Sequence, residues 1–255
     1  MNTIDYTKLP KAEVIELLRD DEFYYDPKRG GQFMSSSNMG RLIKDPRNFF
    51  NHESIKSPAL VAGGYFHTSI LEPEKIDRFK ISEAGSRNSK AYREEAGTEV
   101  LLLRKEQENI LEMKDRMTTC KATKELIFGD EGDDVLFEEP SIIELEGRMF
   151  KGKADIINKT QGLIIDLKTT GELERFRFSA QKFNYDCQAY IYQKLFGMNM
   201  VFIAIDKTTH NMGIFTCSDK FIERGKLKVK DAMQNYEMIM APDYNPEDHC
   251  LSETL

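Results

Sequence analysis

An α/β fold in one domain is what this sequence predicts, and three observations carry that reading. With 255 residues, 40% of them hydrophobic, the chain is long enough to bury one sizeable core. Its middle holds two apolar-rich runs, Lys151–Asn158 and Leu163–Lys168, on either side of the polar KTQG, which is the pattern of an antiparallel β-hairpin. Before and after that hairpin, apolar residues recur at three- and four-residue steps, as they do in helices packed against a sheet.

In chain order, Lys8–Asp20 places Val14, Ile15, Leu17 and Leu18 on one side and is expected to form a short peripheral helix. The turn-rich stretch Phe23–Gln32 follows. Ser35–His52 opens with capping serines, continues through Met39, Leu42 and Ile43, and is ended by Pro46. Lys44, Arg47 and the two phenylalanines after it form either a nucleic-acid contact or an ordinary helix end. Ser57-Pro58 is a strong helix start, a side-chain cap followed by proline at the first helical position. That helix should run to Leu71, before Glu72-Pro73. On it Leu60, Gly63, Gly64, His67 and Leu71 fall on one stripe, so His67 reads either as a packed core histidine or as a ligand.

Lys75–Ala96 is polar and mixed in charge, an exposed loop and helix whose basic residues are either solvated or available to phosphates. Thr98–Leu103 reads as extended, Arg104–Met117 and Lys121–Phe128 as helices, and VLFEEPSIIEL as a strand. Its Glu138 and Glu139 are either surface acids or an outer ligand. After the hairpin come a helical Glu172–Phe178 and a helix over Ala180–Phe196 ended by Gly197. Two strands, VFIAIDK and GIFTCS, and a helix over Lys220–Ala241 complete the pattern, and the tail from Pro242 is expected to be loose. The expected organisation is an N-terminal helical region over 1–56, a core over 57–218, a helix over 219–241 and a tail over 242–255.

The hairpin is where the chemistry concentrates. A turn centred between Thr160 and Gln161 sets Asp155 directly opposite Asp166, with Ile157, Ile164 and Lys168 on the same face. Opposed like charges destabilise a sheet, so stability alone does not select this pair. A divalent, oxygen-preferring cation such as Mg²⁺ or Mn²⁺ would resolve it, with the lysine free to meet a phosphate oxygen or the attacking water. The alternative is a solvated hairpin face, and a shift of one residue in register would separate the pair. On the helix after the hairpin, Gln188 and Tyr192 share a face.

Composition narrows the field. The net charge of −7 and a pI of about 5.3 argue against a protein basic all over, yet leave room for a local basic groove. The four cysteines, Cys120, Cys187, Cys217 and Cys250, are far apart and form no CxxC pair, which excludes a zinc ribbon or a clustered iron–sulfur framework. No signal peptide and no apolar run near about 18 residues is visible, so a soluble, cytoplasmic protein with free thiols is expected.

His67 in GGYFHTSILEPEK, Asp155 in KGKADII, Asp166 and Lys168 in IIDLKT, and Gln188 and Tyr192 in QAYIY together resemble the PD-(D/E)xK nuclease superfamily, within it the RecE-like, phage-type exonucleases. The resemblance spans roughly Ser35 to Ser218. It implies a restriction-endonuclease-like core, a mixed sheet of about five strands flanked by helices. It implies that His67, Asp155, Asp166 and the backbone carbonyl of Leu167 hold Mg²⁺, with Mn²⁺ as substitute, that Lys168 activates water, and that Gln188 and Tyr192 brace the site. The implied activity is 5′→3′ digestion of double-stranded DNA ends for recombination in a bacterial host, phage or prophage encoded. A single-strand annealing protein and a homo-oligomeric ring are the implied partners, with no membrane. An endonuclease of the same superfamily, or a non-catalytic DNA-binding module, are the alternatives. The variable acid is aspartate here, and the C-terminal tail matches no motif of the family.

Overall fold

A computed structural model of the chain describes residues 4–51 and 56–248. His52, Cys250 and the end of the expected loose tail lie outside the described residues. The elements run α1 (Lys11–Arg19), α2 (Asp21–Tyr25), α3 (Ser36–Lys44), α4 (Pro58–Leu71), β1 (Ile81–Ser82), α5 (Lys90–Ala96), β2 (Leu102–Leu103), α6 (Arg104–Thr119) and α7 (Lys121–Phe128). They continue with β3 (Val135–Leu145), β4 (Arg148–Asn158), β5 (Leu163–Thr170), α8 (Phe176–Lys182), α9 (Tyr185–Phe196), β6 (Asn199–Asp206), β7 (Met212–Thr216) and α10 (Asp219–Met240).

Five strands form one mixed sheet in the order β3-β4-β5-β6-β7, antiparallel except for the parallel pair β5–β6. The α8–α9 segment makes the crossover that a parallel pair requires. The hairpin turn lies where the sequence predicts it: Ile156 pairs with Ile165, Ile157 with Ile164 and Asn158 with Leu163, and Gly162 supplies the positive φ of 65° in the turn. One face of the sheet, with Ile157, Ile164, Met200 and Phe202, packs against α3, α9 and α10. The other, with Ile156, Ile165, Leu167 and Ile203, packs against α4, α6 and α7. Because helices cover both faces, every residue of β6 after Asn199 is buried, and the strand reads as an apolar run rather than an alternation.

Four expectations are corrected. The N-terminal helix is not peripheral: Val14 and Leu18 are fully buried and pack with Ile142 of the edge strand β3, so α1 is part of the helical cover of the sheet. Its continuation Asp21–Tyr25 is helical, started by Asp20, whose carboxylate accepts the amides of Glu22 and Phe23. The single helix expected over Ala180–Phe196 is two, broken at Asn184, which sits in the left-handed region at φ 57° as asparagine tolerates. Its side-chain oxygen accepts a hydrogen bond from Lys228 Nζ at 2.9 Å.

The stripe on α4 is not a core face either. Leu60 is 64% exposed, and the buried residues are Tyr65, Phe66 and Thr68 to Leu71, so α4 turns His67 toward a cleft. The basic residues of the 75–96 segment are largely engaged, Arg78 with Asp21, Lys80 with Glu99 and Arg87 with Glu106. Among the described residues no helix is long and apolar enough to cross a membrane.

Candidate active site

The ladder between β4 and β5 stops at Ile156–Ile165, one position before the two aspartates. Asp155 is next in that register, and its side chain takes over where the backbone leaves off: the amide N–H of Leu167 donates to Asp155 Oδ2 at 2.9 Å. The ladder on the opposite side is interrupted at the same level. Phe137 pairs with Ile156 and Glu139 with Ala154, but Glu138 between them, opposite Asp155 in the same register, is unpaired and in the left-handed region at φ 50°. Asp155 therefore occupies a split in the sheet, where backbone pairing lapses on both sides of it.

His67 reaches the split from α4, with Nδ1 3.1 Å from Asp155 Oδ2 and 28% of its side chain exposed. From β5, Asp166 is 2% exposed and forms an ion pair through Oδ2 with the Lys168 ammonium. Gln188 on α9 donates Nε2–H to Asp166 Oδ1. The Lys168 pair is close without being aligned as a hydrogen bond, so the buried Asp166 Oδ2 has that ionic contact in place of an aligned donor. One turn on, the Tyr192 hydroxyl donates to the carbonyl of Lys153 at 3.0 Å, tying α9 to β4. So His67, Asp155, Asp166, Lys168 and Gln188 come together, while Tyr192 stands one step behind them.

The electrostatics divide the two carboxylates. Burial pushes the Asp155 carboxyl up, but the charge and hydrogen bond of His67, the Lys168 ammonium and the Leu167 amide outweigh it and hold the group below the usual carboxylate range. Asp166 goes the other way: burial and the Asp155 charge beside it, opposed by Lys168, raise it to about 6. The two titrate as a pair. For Lys168 and His67 burial favours the neutral form, but the aspartates win and raise both.

A cleft of about 460 Å³ opens on the His67 and Asp155 side, with Tyr24, Ser35, Glu138 and Lys153 among its walls. Several of these were missed from the sequence. Asp21 on α2 binds Lys153 Nζ through Oδ1 at 2.6 Å, and Lys151 Nζ stands 3.9 Å from the centre of the Tyr24 ring. Burial, with the charge of Lys153, brings the Lys151 ammonium down to about 8. Glu138 is no plain surface acid: burial, then Asp155 and Glu72, raise it to about 8. The available signal was the pair of lysines around Gly152 in an otherwise apolar strand, since lysine is almost never fully buried unless it is paired. Gly152 lets α9 approach closely, for a Cβ there would come within 2.5 Å of the Leu195 side chain, which would have to shift. Glu139, by contrast, is engaged by Arg19 at 2.7 Å.

Among the described residues no three His, Cys, Asp or Glu side chains are gathered as a metal ion would need. The donors are instead satisfied in pairs, Asp155 by His67 and Leu167, Asp166 by Lys168 and Gln188. Their chemistry nevertheless fits a hard divalent cation: two carboxylates, an imidazole, and a buried Asp166 oxygen lacking an aligned donor.

Residues 46–253 match the family model described as a PDDEXK-like domain of unknown function, DUF3799. The fold is similar to that of a candidate exonuclease from Eubacterium rectale, at 16% identity over 92% of this chain and 95% of that one, with a TM-score of 0.63. A phage-related exonuclease from Haemophilus somnus 129PT aligns at 15% identity over 82% of this chain and 95% of the other, with a TM-score of 0.37. No curated protein matches. Residues 46–253 being most of the chain, the protein belongs to the PDDEXK-like DUF3799 family.

Proposed function

We propose that this protein is a divalent-metal-dependent exonuclease that degrades double-stranded DNA from its 5′ ends. The observation that supports it best is the meeting of Asp155, Asp166 and Lys168 at a split in the sheet, with Gln188 holding Asp166 from the helical layer. Mg²⁺, or Mn²⁺ in its place, held by His67, Asp155, Asp166 and the Leu167 carbonyl, would neutralise the carboxylates and polarise the scissile phosphate. Lys168 keeps its proton, because Asp166 and Asp155 outweigh its burial, so the ammonium orients water and offsets charge on the phosphate oxygens rather than accepting a proton. The 5′ polarity, a role in recombination beside a single-strand annealing protein, a ring-shaped oligomer and residence in the cytoplasm of a phage- or prophage-bearing bacterium rest on the RecE-like resemblance.

The test is a linear duplex labelled at its 5′ or 3′ ends, beside a covalently closed circle, each with chelator and with Mg²⁺. Progressive release of 5′ label with Mg²⁺ alone, and survival of the circle, is expected. Rapid linearisation of the circle would favour an endonuclease, and no cleavage under any condition a DNA-binding module.

A further inference from the structure

A second cleft, of about 600 Å³, is bounded by Thr169, Arg175, Phe178, Lys182, Phe183 and Tyr185. Two of its walls are apolar rings left in solvent: Phe178 is 54% exposed and Phe183 58%. Single exposed apolar residues need no explanation, but two aromatics within one short segment, both turned to one cleft, do. Each has a cation at its ring, the Arg177 guanidinium 4.6 Å from the centre of Phe178 and Lys182 Nζ 5.8 Å from that of Phe183. Lys207 also lines the cleft, and its acid Glu172 is taken by Arg175 at 3.5 Å. The rings lead inward as well. Phe183 lies 6.0 Å from Tyr185, and Tyr185 carries the Lys168 ammonium 4.9 Å above its ring.

We propose that Phe178 and Phe183 form a stacking platform for the bases of single-stranded DNA, with Arg175, Arg177, Lys182 and Lys207 following its phosphates and Tyr185 joining the platform to Lys168. The inference rests on the nuclease reading for the identity of the strand. An exposed ring has a free face only for a base that has left its own stack, so the occupant is a single strand rather than a duplex. The surrounding cations match its phosphates, and the contact through Tyr185 makes the platform continuous with the candidate active site.

The probe is a fluorescent oligodeoxythymidine titrated by anisotropy in the presence of chelator, which removes cleavage from the measurement. Phe178→Ala and Phe183→Ala should each weaken binding by about tenfold or more, the scale of one lost base stack. Phe178→Tyr and Phe183→Tyr, which keep the π face, should bind within about twofold of wild type, while Phe178→Leu and Phe183→Leu should bind like the alanine variants. Equal affinity in all variants, or rescue by leucine, overturns the platform. Release of an oligomer into monomers by Phe178→Ala, read by light scattering, with unchanged binding of the oligonucleotide, would show a contact between copies and overturns it too. Digestion of end-labelled duplex by the wild type is measured beside these. If the duplex is digested but the rings do not matter, the platform alone fails. If the rings bind the strand and no DNA is cut, the nuclease reading alone fails.

Discussion

Gln188 on α9 donates its side-chain amide to Asp166 Oδ1 on β5, so one helix of the outer layer sets the rotamer of a carboxylate buried in the sheet. Gln188→Leu leaves that oxygen without its donor, and a hydrogen bond to a charged group contributes about 1.5–3 kcal/mol. A fall of at least tenfold in single-turnover cleavage, with duplex binding unchanged, is the expected result. An unaltered rate would make Gln188 a packing residue.

Lys168→Ala should abolish cleavage and leave duplex affinity within a few-fold if, as proposed, the ammonium acts on charge that develops only in the transition state. Cleavage is measured with Mg²⁺ and binding with chelator. A variant retaining more than a tenth of the wild-type rate takes Lys168 out of the mechanism.

His67→Ala should lower metal affinity and activity together, with partial recovery at high Mn²⁺, since imidazole suits transition metals better than Mg²⁺. With the side chain at the rim of a cleft, the loss of thermal stability should be small. Calorimetric Mn²⁺ titration and a melt decide it: full activity in a protein that melts far lower would return His67 to the core.

The raised Asp166 carboxyl has a definite signature in pH. Its folded value, about 6, lies above the ordinary 3.9 of an aspartate, so the folded state holds this proton more tightly. The stabilisation is complete below about pH 4 and is lost as pH rises through about 6, an effect of at most about 3 kcal/mol, shared with Asp155. Asp155, held below the usual range, contributes oppositely, in the more acidic region below the ordinary value. With chelator present, denaturant unfolding between pH 4 and 8 should show a steeper decline in the wild type than in Asp166→Asn, which keeps only the same-signed contributions of Glu138 and His67. An identical slope in both proteins would assign it elsewhere.

Much of this was legible because periodicity reports burial. The hairpin register followed from one glycine-containing turn between two apolar runs, and the helix at Pro58–Leu71 from its cap and its breaker. The face of α4 was not. The spacing of Leu60, Gly63 and His67 describes a stripe equally well whether it meets a core or a cleft, and only the packing of Tyr65 and Phe66 on the sheet decides between them. The break at Asn184 was hidden because one left-handed residue leaves the apolar spacing on either side undisturbed. Asp21 and Tyr24 were out of reach for a different reason, since they meet Lys153 and Lys151 across more than a hundred residues of chain.

The bond from the Leu167 amide to Asp155 makes the backbone itself a witness to the site. In most of a sheet an amide proton is guarded by a carbonyl that cannot move without unfolding; here the guard is a side chain that rotates. Whatever draws the Asp155 carboxylate away, a cation or a proton, uncovers one particular amide and leaves its neighbours in the ladder as they were. The exchange of that single hydrogen for deuterium thus records the state of the site in the chain's own atoms, with no substrate added and no label attached.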